Sequence, residues 1–109
     1  MRRYPSLARL LREWRPLMDI PKGLVIRAHY VNQLDWLAKG DSVYGLTACM
    51  PGGGLILIDM QQCKPAMVEP TLVHELVHIE QIGKRIELDH GAYFAQREAE
   101  IKERFGVII

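Results

Sequence analysis

The chain has 109 residues, 49% apolar and 25% charged, with a formal net charge of +1, the profile of one soluble globular domain over residues 1–109 around a single hydrophobic core. So even a balance gives no global argument for nucleic-acid binding, because a chain organised around phosphates carries a far larger basic excess. Cys49 and Cys63 stand outside any C-x-x-C spacing, which excludes a zinc ribbon or a thioredoxin-type motif built from them, and both are expected to be reduced.

Leu7, Leu10, Leu11, Trp14 and Met18 recur at helical intervals, which predicts an amphipathic helix from Ser6 to Pro16. Arg2, Arg3, Arg9, Arg12 and Arg15 place five of the chain's 14 basic residues in this region, a solvated helix face or, in the alternative, a phosphate-facing patch. This amino terminus lacks the apolar centre of a signal peptide, and no run approaches the roughly 18 apolar residues of a membrane span, so the expected location is cytoplasmic. The β-branched run Leu24 to Val31 predicts a strand; His29 lies within it and no role is expected for it. The stretch Asn32 to Lys39 fits either a loop or a helical turn.

Strands are predicted over Ser42–Met50 and Leu55–Met60, paired as a hairpin across "PGGG" at Pro51 to Gly54. That turn lacks the following lysine and helix of a phosphate cradle. A helix of about thirteen residues follows, with Pro70 at its first position and Gly83 just past its end. A last helix is predicted from about His90 to Phe105, closed by Gly106, with Phe94, Ile101, Phe105, His90 and Glu98 on one face. This order predicts an α+β fold, a small three-stranded sheet packed by an N-terminal helix and two C-terminal helices.

The chemistry is concentrated in "TLVHELVHIEQIG", Thr71 to Gly83. Residues four apart on a helix project from one side, so His74 and His78 can converge on one ion. Glu75 emerges about one hundred degrees around the helix, within reach of a water beside the ion. Leu72, Val73, Leu76, Val77 and Ile79 make this helix apolar almost all round, and burying two imidazoles and a carboxylate there is costly without a compensating ion. Zinc in a hydrolytic site takes three protein ligands and leaves a fourth position for water. Spacing leaves two candidates for the third: His90, in "DHGAYF", and Glu98, on the following helix. Tyr93 is either a packing residue or a donor to a tetrahedral intermediate.

The run "TLVHELVH" followed by "DHGAYFAQREAEIKERFG" resembles the SprT-like zinc metalloprotease domain, over about Val43 to Gly106. The resemblance implies a zincin-like fold, zinc ligands at His74, His78 and His90, and a catalytic glutamate at Glu75. The sequence departs from the fuller members in stopping at Ile109, so a compact form without the C-terminal zinc ribbon of many relatives is expected. The expected function is zinc-dependent hydrolysis of a protein or peptide substrate, in which the metal activates water and Glu75 takes its proton. Two alternatives are a DNA-associated module using the arginine-rich first helix, and a structural zinc domain that does no chemistry.

Overall fold

In the computed structural model the described residues are 3–32 and 44–109. Arg2, most of the undecided stretch Asn32 to Lys39 and the start of the predicted second strand lie outside them. Helix α1 spans Leu7–Trp14, capped by Ser6, whose hydroxyl oxygen accepts from the Arg9 N–H at 3.2 Å. Pro16 cannot supply the N–H that would continue it, and the chain passes into a 3₁₀ turn over Arg15–Leu17. Leu7, Leu10 and Trp14 are buried, as the helical spacing predicts.

Strands β1 (Val25–Val31), β2 (Gly45–Met50) and β3 (Gly53–Asp59) form a sheet of order β1-β3-β2. β2 and β3 are the expected antiparallel hairpin, whereas β1 lies parallel to β3. Only Pro51 and Gly52 make the turn, Gly52 taking the positive φ of 79° that a Pro-Gly turn requires. Gly53 and Gly54 belong to β3 instead. A side chain at Gly53 would stand 1.7 Å from the Val25 carbonyl oxygen, so only glycine lets β1 approach there.

Helix α2 spans Val68–Lys84, 17 residues rather than the expected thirteen. It starts earlier because a 3₁₀ turn over Pro65–Met67 runs straight into it, and Pro70 is tolerated in a first turn whose N–H groups have no partner within the helix. It ends later because Gly83 is not its cap. Gly83 lies within the last turn, where a Cβ would meet Pro21 Cδ at 2.9 Å, and the left-handed cap residue is Arg85, with φ 59°. Helix α3 runs over Ala92–Phe105 and closes at Gly106 as expected. Its start is later than predicted: Gly91 is the cap, and His90 sits in the bend before the helix.

One face of the sheet, with Ile56 and Ile58 fully buried, packs against Leu72, Val73, Leu76 and Ile79 of α2. Leu10 and Trp14 of α1 and Phe94 and Ile101 of α3 join the same cluster. The opposite face leaves Val25, Arg27, His29 and Leu46 exposed. The result is an α+β arrangement with a three-stranded mixed sheet and three helices among the described residues. None of these helices is long and apolar enough to cross a membrane.

A buried ion pair fixes α3 on α2. Glu80 is fully buried, and Arg97 grips it with Nε at 2.8 Å and Nη2 at 2.9 Å. The Tyr93 hydroxyl donates to the same carboxylate at 2.9 Å, and the Asp19 N–H donates at 2.8 Å. Every lone-pair direction of consequence is thereby engaged, which a buried carboxylate needs if it is to remain charged. Tyr93 and Arg97 lie in the first two turns of α3, so the network ties the helix to α2 just after the His90 bend.

Candidate metal centre

Helical spacing puts His74 and His78 on one side of α2, and the bend at His90 folds back over them. The candidate ligand atoms of His74, His78 and His90 lie within 4.8 Å of one another. Two ligands of a tetrahedral zinc, each about 2.0–2.1 Å from the ion, stand roughly 3.3 Å apart. Nε2 of His74 and Nε2 of His90 are 3.2 Å apart, the separation at which that pair can share such an ion.

Phe94 is the floor of the site. Its ring centroid lies 4.6, 5.0 and 4.7 Å from those of His74, His78 and His90, and it is itself buried in the core. A rigid apolar plate under three imidazoles limits their rotation and keeps water from their inner side.

Glu75 is buried against β2. The Thr47 hydroxyl donates to its Oε1 at 2.7 Å. Burial raises its carboxyl from 4.5 to about 7, against the pull of that hydrogen bond. His74 is lowered to about 4, first by burial and then by the positive charge that His78 and His90 would carry. Burial also lowers His78. The imidazoles of His74 and His78 are thus held neutral with lone pairs available, the state metal ligation requires.

The site opens on a cleft of about 560 Å³, bounded on one side by Tyr44, Gly45, Leu46 and Thr47 and elsewhere by Met67, Pro70, Leu88, Ile108 and Ile109. β2 is an edge strand of the sheet, and the cleft runs along it.

The structure brings His74, His78 and His90 together with Glu75 beside them, and it keeps the other candidates apart. Glu98 is exposed on α3, and the cluster found among the described residues does not include it. Helical phase puts Glu98 on the same side of α3 as Phe94 and Ile101, four and three residues away, but only those two are buried in the core and Glu98 stays exposed. Tyr93 gives its hydroxyl to Glu80, which commits it to the buried ion pair rather than to a reacting carbonyl. His29 is exposed on the far face of the sheet. Among the arginines near the amino terminus, Arg9 pairs with Glu13 at 3.0 Å and Arg15 donates to the carbonyls of Pro21, Lys22 and Leu24.

Sequence reasoning missed Thr47 and Gln81. Nothing in "GLTACM" marks Thr47, because its relevance depends on β2 passing over Glu75. Gln81 carried a usable signal, since it lies three residues after His78 and therefore on the same side of α2. Its side-chain Oε1 lies 2.6 Å from Nδ1 of that ring.

Compared with models of known protein families the chain matches none, and compared with curated proteins it matches none either.

The buried carboxyl has a measurable consequence in metal-free protein. A group whose pKa is raised on folding contributes stability that is full below its unfolded value, here 4.5, and is lost as pH rises through about 7. The displacement corresponds to about 3 kcal/mol. Under chelation, Glu75→Gln should therefore gain stability over the parent by up to about 3 kcal/mol as the buffer is taken from about pH 4.5 to about pH 8. The depressed His74, which costs stability as pH falls below 6.5, is common to both chains and cancels. Urea unfolding at the two pH values reads the difference, and a gap that does not widen with pH contradicts a buried, protonatable Glu75.

Proposed function

We propose that this chain is a zinc-dependent peptidase with a zincin-like centre, in which His74, His78 and His90 hold the metal and Glu75 is the general base. The observation that carries this reading is the meeting of three imidazoles from two separate segments beside one buried carboxyl, at the wall of an open cleft. The resemblance to the SprT-like domain points to the same four residues.

A zinc ion in this position would lower the pKa of a coordinated water and polarise a substrate carbonyl. The remaining work falls to the chain's own groups. Thr47 holds Glu75 Oε1, which leaves Oε2 to take a proton from the attacking water and return it to the leaving amine. The raised carboxyl binds that proton readily, and a nearby cation draws its pKa back towards the charged form needed at the start of the cycle. The edge of β2, unpaired among the described residues, offers backbone donors and acceptors to an extended peptide, which would lie along the cleft as an added strand. Met67, Pro70 and Leu88 supply apolar surface for its side chains.

The test is hydrolysis of an unstructured polypeptide by protein loaded with one equivalent of zinc. Cleavage should cease on chelation and return when zinc is restored. A zinc-loaded chain that leaves such a substrate intact overturns the peptidase reading.

A further inference from the structure

Gln81 is fully buried on α2 and uses both ends of its side-chain amide. One end faces the His78 ring, with Oε1 2.6 Å from Nδ1, and the other donates from Nε2 to the carbonyl oxygen of Asp89 at 3.0 Å. Asp89 immediately precedes His90, so one side chain touches a ligand on α2 and the backbone of the bend that carries another. Its carboxylate also accepts from the Gly91 N–H at 3.1 Å, which braces His90 from the other side.

The chemistry at these two contacts permits one assignment. A backbone carbonyl has no proton to give, so the amide must turn its NH₂ towards Asp89. Its oxygen then faces His78 Nδ1, and that oxygen can only accept. Nδ1 must therefore carry the proton, and the lone pair of the neutral ring sits on Nε2. With the opposite amide orientation two oxygens would oppose each other at Asp89 and the ring proton would be placed on Nε2, where it would block a metal.

We infer that Gln81 is a positioning residue of the metal centre: by reading the Asp89 carbonyl at one end it fixes the His78 tautomer at the other, and it ties the His90 bend to α2. The inference rests on the metal-site reading and not on peptide hydrolysis. Partners of this kind orient ligand rings and typically alter metal affinity 10–100-fold when removed.

Two measurements test it. In metal-free wild-type protein, nitrogen NMR of labelled histidine should show His78 protonated at Nδ1; finding it protonated at Nε2 overturns the proposal without any variant. Gln81→Met keeps length and apolar bulk but loses both hydrogen bonds. Its zinc affinity, read by competition with a chromophoric chelator, should fall about 10–100-fold, and His78 should relax to a mixture of tautomers while circular dichroism still reports a folded chain. Unchanged affinity with an unchanged tautomer refutes the role. A protein that takes up zinc with these dependences yet cleaves nothing leaves Gln81 in place and removes only the peptidase.

Discussion

Glu75→Gln should lower peptide hydrolysis by about 10²–10⁴-fold, the usual contribution of a positioned general base, while zinc uptake stays close to that of the parent. The substitution is nearly isosteric. The Thr47 hydroxyl that donates to Oε1 can donate equally to an amide oxygen, so the side chain has no reason to leave its place. Only the ability to accept a proton is lost, and the metal keeps its three imidazoles. If the variant retains parental turnover, Glu75 is not the base. If it loses zinc instead, the carboxyl is a ligand. In the parent, turnover should fall as acid protonates this base, with its midpoint below the value of about 7 that burial imposes in the metal-free chain, because a cation alongside favours the carboxylate.

His90→Ala should weaken zinc binding by about 100-fold or more. Apparent zinc-binding free energies of roughly 10–16 kcal/mol are shared among four positions, so one ligand is worth on the order of 3 kcal/mol. Glu98→Ala is the matched control, and His29→Ala is a second. Both residues are exposed and away from the cluster, and both variants should bind zinc as the parent does. Competition against a calibrated chelator measures all three. A Glu98→Ala chain that loses the metal while His90→Ala keeps it would reverse the assignment. His90 also stacks edge-on against Phe94, so circular dichroism of the metal-free variant separates lost ligation from lost packing.

The convergence of His74 and His78 followed from short-range physics, whereas His90 was preferred to Glu98 through the resemblance. A four-residue interval on a helix decides that His74 and His78 share a side, whatever surrounds them. The largely apolar neighbourhood announced a largely buried helix. The partition of α3 was readable in part: Phe94 and Ile101 were placed inward correctly, but His90 was drawn into the helix because nothing local distinguishes a residue just before a cap from one just after it.

What could not be read depends on contacts far apart in the chain. The ends of α2 were misplaced because Pro70 and Gly83 look like start and stop signals in isolation. Gly83 is there for the approach of Pro21, over sixty positions away. The parallel pairing of β1 with β3 has no local signature, and Thr47 becomes a partner of Glu75 only because β2 takes the edge. Nothing in the sequence marks Glu80 and Arg97, which form a buried pair only through the docking of α3.

The most direct measurement is a zinc titration of protein labelled with nitrogen-15 in its 4 histidines. One ring-nitrogen signal from each of His74, His78 and His90 should move to a metal-bound position in step and saturate at one equivalent, while His29 stays where it began. Fewer than three moving rings, or saturation at another stoichiometry, would contradict a single cation held by these three imidazoles.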